Sequence, residues 1–295
     1  MNKLYLLLIL SVFLGCSGDP EEQVYFDGRL ETDIIKVSAK TPGNLDSLVV
    51  DEGDAIVSGQ LLAVVDSERL HLQLQQQKAQ LAEISANMSS LNAQNKQIQS
   101  QLKLNSELIE KTKDLVKKGA ATTQKLDELN TQHDVLLAQV ESVKAQKRAL
   151  LNKSEQLQAG ISLTQLNIRD SRLLSPIDGL VLNRYFNNSE LLSPGIPVFD
   201  LADLANMEAT IYVSLARLTN IKVGQPVDVI LDEVDENFKG TIRWIASEAE
   251  FTPKTILTEE TRTSLVYAVK ISINNDQGKL KIGMPVRVRV DVGQQ

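Results

Sequence analysis

The sequence has one cysteine in 295 residues, Cys16, so no disulfide can close within the chain and no multi-cysteine metal site can be built. Histidine is nearly absent: His71 and His133 are far apart, and neither is accompanied by a cluster of carboxylates, so no metal ligand set is expected. Aromatic residues are 4% of the chain against 42% apolar residues overall, a bias that long helices produce. No proline occurs between Pro42 and Pro176, so nothing in that stretch need break a helix. Basic residues are outnumbered, 31 against 38 acidic, for a net charge of −7, which disfavours nucleic acid as the partner. The four methionines are scattered, which argues against a methionine-lined metal path. There is no G-x-S-x-G, no phosphate-binding loop and no supported pair of catalytic carboxylates. The reading is of a protein without catalytic residues, cofactor or metal.

The one long apolar run, Leu4 to Leu14, is shorter than the roughly 20 residues a bilayer span needs. It follows Met1-Asn2-Lys3 and ends at Gly15-Cys16, the layout of a secretory signal. Phe13-Leu14-Gly15-Cys16 resembles the bacterial lipoprotein signal, which implies that Cys16 is acylated and becomes the first mature residue. It departs from that pattern at Phe13 and Leu14, and ordinary secretion with an incidental cysteine is the alternative. Acyl chains contribute about 0.8 kcal/mol per buried methylene, enough for firm anchoring when several are present.

What the chain does have is a heptad pattern from Ser67 to Asp170. One seam runs Leu74, Leu81, Met88, Asn95, Leu102, Ile109, and its companion Gln77, Ile84, Leu91, Ile98, Asn105. After a break near Gly119 the pattern resumes as Leu126, His133, Val140, Lys147, Ser154, Ile161, Ile168, beside Leu129, Leu136, Val143, Leu150, Leu157, Thr164. Apolar residues three and four apart over several heptads predict two helices packed along a narrow stripe. Arms of similar length on a short linker predict an antiparallel coiled-coil hairpin with a hydrated exterior of Gln, Asn, Ser, Lys and Glu. Asn95, Asn105, Lys147 and Ser154 in the seams read as register-setting or solvated positions, or as places where neighbouring hairpins touch.

Short strands flank the hairpin on both sides. Thr41-Pro42-Gly43 and Val57-Ser58-Gly59 punctuate the first set, Ile177-Asp178-Gly179 and Ser193-Pro194-Gly195 the second. Gly43 to Gly59 and Gly179 to Gly195 are the same step at an offset of 136, with Ser189 standing where Gly53 would repeat. Two such units predict one small β-domain that the hairpin interrupts. Beyond Asn206, Val286-Arg287-Val288-Arg289-Val290 alternates as a half-buried strand should. The acidic run Asp232 to Glu236 lacks the glycine and spacing of a Ca²⁺ loop and reads as a solvated turn.

Lys36 to Asp66 and Leu173 to Leu204 resemble the split lipoyl domain of HlyD/AcrA-type periplasmic adaptors, or membrane fusion proteins, and Asn206 to Val292 resembles their β-barrel domain. The resemblance implies an elongated α+β chain: an α-hairpin inserted in a split lipoyl-like β-domain, plus a β-barrel domain. The expected division is a signal peptide 1–15, a tether 16–23, a strand 24–35 joining the barrel, lipoyl-like half one 36–66, hairpin 67–170, half two 171–204 and barrel 205–295. The lipoyl turn that would carry a modified lysine is replaced by the hairpin, so carrier function is not expected.

Near the hairpin midpoint, Lys111-x3-Leu115-x6-Thr122 resembles the Arg-x3-Leu-x6-Ser motif with which adaptors meet a TolC-like outer-membrane channel. Lys for Arg loses the bidentate fork, whereas Thr for Ser keeps a helix cap. The resemblance assigns docking to Lys111, Leu115, Gly119 and Thr122, with Gly119 permitting the reversal. Glu248 to Lys254, continuing through Arg262 to Tyr267, resembles the segment found in adaptors that serve ABC exporters, and the sequence shows no membrane-proximal domain after the barrel, which favours an ABC permease over an RND pump. Together these resemblances imply a periplasmic protein, lipid-anchored at the inner membrane, hexameric, bridging exporter and channel. The alternatives are a lipid-anchored coiled-coil tether without a transporter and an RND-pump adaptor lacking that domain.

Overall fold

A computed structural model describes residues 23–231, 236–251 and 265–291. Cys16 with the signal and the tether up to residue 22, the acidic residues 232–235 and most of the segment between Glu248 and Tyr267 lie outside the described residues. Gln23, placed in the tether by sequence, is instead the first residue of the barrel strand and pairs with Asp291. Two β-bodies and a helical hairpin make up the fold.

The hairpin is α1 (Glu68–Lys117) and α2 (Thr123–Asp170), 50 and 48 residues long. At 1.5 Å per residue each arm is about 75 Å long. The residues it buries are Ile84, Ile98 and Asn105 on α1, and Leu136, Val140, Val143, Ile161 and Thr164 on α2, all at heptad seam positions. Ile98, Leu136, Val140 and Val143 form its best-packed stretch, with Leu91 and Leu102 against them. Register is marked by two polar contacts: Lys147 Nζ donates to Asn92 Oδ1 at 3.1 Å, and Thr164 Oγ1 lies 3.0 Å from Gln77 Oε1. The seam also buries Asn95 Oδ1 and Asn105 Oδ1 without partners. Such an orphan acceptor costs about 1–3 kcal/mol, so these asparagines detract from the stability of the hairpin.

The interrupted β-body consists of two four-stranded sheets, each mixing strands from both sides of the hairpin. One has the order β2 (Ile34–Ser38), β9 (Pro197–Ala202), β7 (Gly179–Arg184), β4 (Ala55–Ile56). The other has β6 (Arg172–Leu174), β5 (Leu61–Val65), β3 (Gly43–Leu48), β8 (Leu191–Leu192). Their inner faces share one core of Leu45, Leu62, Val65, Val181, Leu192, Phe199 and Leu201. The 136-residue offset is an approximate two-fold axis: Gly53 N donates to Val181 O at 2.9 Å, and Ser189 N donates to Leu45 O at 2.7 Å. Leu45 N to Glu190 O and Val181 N to Asp54 O repeat the exchange at 2.8 and 3.0 Å. Gly43 and Gly179 also correspond. A Cβ on Gly43 would meet the Val65 side chain at 2.8 Å and Asp66 O at 3.1 Å, and one on Gly179 would meet Ala202 O at 2.2 Å. Both strands therefore start on a residue without a side chain.

The second body is a barrel. β10 (Asn206–Ser214), β1 (Gln23–Glu31), β15 (Pro285–Asp291), β11 (Pro226–Leu231), β12 (Glu236–Ile245) and β14 (Leu265–Asn274) pair in that order, and β10 pairs back with β14 to close the ring. β13 (Glu250–Phe251) adds to β14. Val286, Val288 and Val290 point into its core with Phe26, Leu30, Met207, Ile211, Ile242 and Ile271. The chain enters the barrel first, through β1, and crosses to the split body at Thr32. Ile34 and Ile35, grouped with the barrel strand by sequence, pair instead with Ala202 and Leu201 of β9. No described helix is long and apolar enough to cross a membrane.

Candidate functional site

The end of α1 and the start of α2 bring together the three motif residues Lys111, Leu115 and Thr122 and the turn residue Gly119. α1 ends in a left-handed reversal at Gly119, φ +71°. Gly119 N donates to Val116 O at 2.9 Å and Ala120 N to Leu115 O at 2.8 Å, so the last carbonyls of α1 are satisfied by the turn itself. Thr122 then caps α2: it has extended backbone angles and its Oγ1 accepts from Lys125 N at 3.4 Å. Gly119 and Thr122 thus shape the turn, while Lys111 and Leu115 are displayed by it.

Leu115 is 46% exposed on the last turn of α1. Lys111 is exposed one turn earlier on the same face. Leu108 and Leu104 continue that face at the same helical spacing, 42% and 59% exposed. The motif did not indicate them. Their signal was visible in the sequence as two leucines outside both heptad seams. Val135 of α2, also exposed, lies level with Leu104 by the register of the Asn92–Lys147 contact.

The tip is densely charged. Lys117 and Lys125 form exposed pairs with Asp114 and Glu128, at 3.6 and 3.1 Å. Lys111, Lys113 and Lys118 have no ion pair among the described residues, and neither do Glu107, Glu110 and Asp127, so the tip displays charges of both signs. An exposed apolar stripe beside a lysine without an ion pair suits contact with a protein surface.

His133 is half-buried in the seam, its Nδ1 3.9 Å from Asp134 Oδ1. His71 is in the first turn of α1, at the opposite end of the hairpin. Among the described residues no group of three or more His, Cys, Asp or Glu is placed to hold a metal ion.

A split lipoyl-like body opened by a long helical hairpin, with a barrel built from the chain's two flanks, is the architecture of the periplasmic adaptors, or membrane fusion proteins. The structure of MacA from Actinobacillus actinomycetemcomitans is similar with a TM-score of 0.68 at 20% identity, over 93% of this chain and 79% of that one. The membrane fusion protein Spr0693 from Streptococcus pneumoniae R6 is similar with a TM-score of 0.63 at 18% identity, over 92% of this chain and all of that one. At such identities the likeness is one of fold. In sequence, the chain is 28% identical over 287 residues to a UPF0194 membrane protein of Yersinia pseudotuberculosis serotype O:3 (strain YPIII), covering 89% and 88% of the two chains. It is 37% identical over 140 residues to the UPF0194 membrane protein in the asrC 5′ region of Acidithiobacillus ferridurans, which is 46% of this chain and 41% of that protein. No family model matches the chain.

Proposed function

We propose that this chain is a non-enzymatic periplasmic adaptor of a tripartite efflux or secretion system, joining an inner-membrane exporter to a TolC-like outer-membrane channel. The observation that carries the reading is the insertion itself. A tether needs only the helices, whereas here a hairpin of about 75 Å is held at its root by a β-body with an internal two-fold. Cys16 anchors the chain to the inner membrane through lipid, which leaves the tip free to reach outward. The channel contact is Leu115 and Lys111 on a turn shaped by Gly119 and Thr122, and Leu108 and Leu104 extend it down α1. The exporter is an ABC permease, the reading supported by the resemblance in the segment from Glu248 to Tyr267.

Six copies form a ring with hairpins side by side. Exposed Leu137 and Leu151 on α2 support this reading, as does an open groove of about 400 Å³ where Leu81, Ile84 and Met88 face Ser154 and Gln158. The test is recovery of the tagged chain from detergent-extracted membranes, with its companions identified by mass spectrometry. The adaptor reading expects a permease and its ATPase. Recovery of the chain with envelope components but no transporter would favour the tether.

A further inference from the structure

The corner where the hairpin leaves the split body has a counterpart 136 residues on, where the barrel leaves it. At the barrel corner the junction is closed by hydrogen bonds: Thr32 Oγ1 donates to Asp203 O at 2.7 Å and Asn206 Nδ2 to Asp203 Oδ2 at 2.8 Å. Asn275 Nδ2 adds a bond to Leu204 O at 2.8 Å. The hairpin corner is open. A cleft of about 580 Å³ lies there, between the turn after β2 and the root of the two helices.

Its walls carry Lys40 from the turn and Arg69 from the first turn of α1, with the amides of Asn44 and Asn167. Among the described residues neither cationic side chain has a hydrogen-bond or ion-pair partner. Thr41, also lining the cleft, is 5% exposed, and its Oγ1 has no hydrogen-bond partner. The one carboxylate present, Asp66, already accepts from Glu68 N at 2.9 Å. Two cations against one engaged carboxylate leave the cleft positive in an acidic protein. Arginine and lysine together suit an oxyanion, arginine through its planar fork and lysine as a point charge. The volume exceeds what a bare anion needs, since a water takes about 30 Å³.

We propose that this cleft binds a phosphate ester, the phosphate between Lys40 and Arg69 and the rest of the molecule against the asparagine amides. Because Lys40 belongs to the β-body and Arg69 to the hairpin, the ligand bridges the two and restrains the hairpin at its root. The site does not depend on the adaptor reading and can be tested apart from any exporter.

The test is calorimetric titration of the purified mature chain with glycerol 3-phosphate and, separately, inorganic phosphate. Saturable binding of the ester, tighter than that of phosphate, is expected. Lys40→Gln and Arg69→Gln should each weaken it roughly tenfold, the worth of one charge-assisted contact. Arg172→Gln, an exposed cation on β6 outside the cleft, should leave it unchanged. All three substitutions are at exposed side chains, and unchanged melting midpoints of the unliganded variants separate lost binding from lost fold. Absence of saturable ester binding, no preference for the ester, or an equal loss in Arg172→Gln overturns the proposal.

Discussion

Ser189 takes in the second half of the split body the left-handed backbone that Gly53 takes in the first, φ +71° against +88°. The two residues occupy equivalent places, and each donates its N–H across the approximate two-fold to the other half. A side chain is strained there by about 1–2 kcal/mol. Ser189→Gly should therefore stabilise the body, by roughly 0.5–1 kcal/mol after the greater freedom of unfolded glycine is subtracted. The check is the denaturation midpoint of the β-body followed by its far-ultraviolet circular dichroism; a loss of stability would contradict it.

Glycines in the same body should differ in what they tolerate. Gly53→Ala meets no atom within 4 Å and bears only the backbone cost, about 1 kcal/mol. Gly179→Ala places a Cβ 2.2 Å from Ala202 O, which forces β7 and β9 apart. Its cost should be at least about 3 kcal/mol, the upper range for core overpacking. Equal melting points for the two variants would refute the close approach.

In the hairpin, Asn105 is 6% exposed with its Oδ1 unpartnered. Asn105→Leu removes a buried acceptor and should stabilise the hairpin by about 1–2 kcal/mol. Leu136→Ala, at 4% exposure in the best-packed stretch, should instead cost about 2–4 kcal/mol. Helix melting by circular dichroism separates the two. A destabilised Asn105→Leu would mean that the amide is satisfied in solution.

On the barrel exterior, Asp228 of β11 is cross-strand to both Lys239 of β12 and Arg289 of β15 and pairs with each. The hydrogen bond from Lys239, joined by that from Arg289, holds its carboxyl below the ordinary value of 3.8, against the upward push of burial. A depressed folded value means the stabilisation is fully present above the unfolded pKa and is lost as pH falls through the folded one. Asp228→Asn should cost about 0.5–1 kcal/mol at neutral pH, discounted because Lys239 is largely exposed. The difference from wild type should shrink as pH falls below 3.8. A difference independent of pH would sink the assignment.

Much of this architecture was readable from spacing alone. Ile84, Ile98, Val140 and Ile161 are buried at seam positions because a coiled coil imposes a single period. The internal two-fold showed in the turn glycines, though Ser189 looked like a departure until its backbone angle placed it with Gly53. Sheet membership was not readable. Strand pairing is long-range, so nothing local in Ile34-Ile35 indicates that they pair with β9 while residues 23–31 pair into the barrel. The Asp228 triad depends on three registers at once and the hairpin-root cleft on the packing of two bodies, so neither leaves a trace in any short segment. Leu104 and Leu108 left a trace that a three-position motif does not look for.

The most direct measurement is site-specific photo-crosslinking in intact cells from a probe placed at position 115. With the full assembly present, a covalent product with an outer-membrane channel protein is expected. That product should be reduced by Leu108→Asp on the same face and unaffected by Arg172→Gln at the root. Leu115→Asp should abolish export while fold and protein level stay near wild type, since an exposed tip residue contributes within about 0.5 kcal/mol. If position 115 yields no channel product and Leu115→Asp exports normally, the tip is a helix turn and the chain does not bridge to a channel through it.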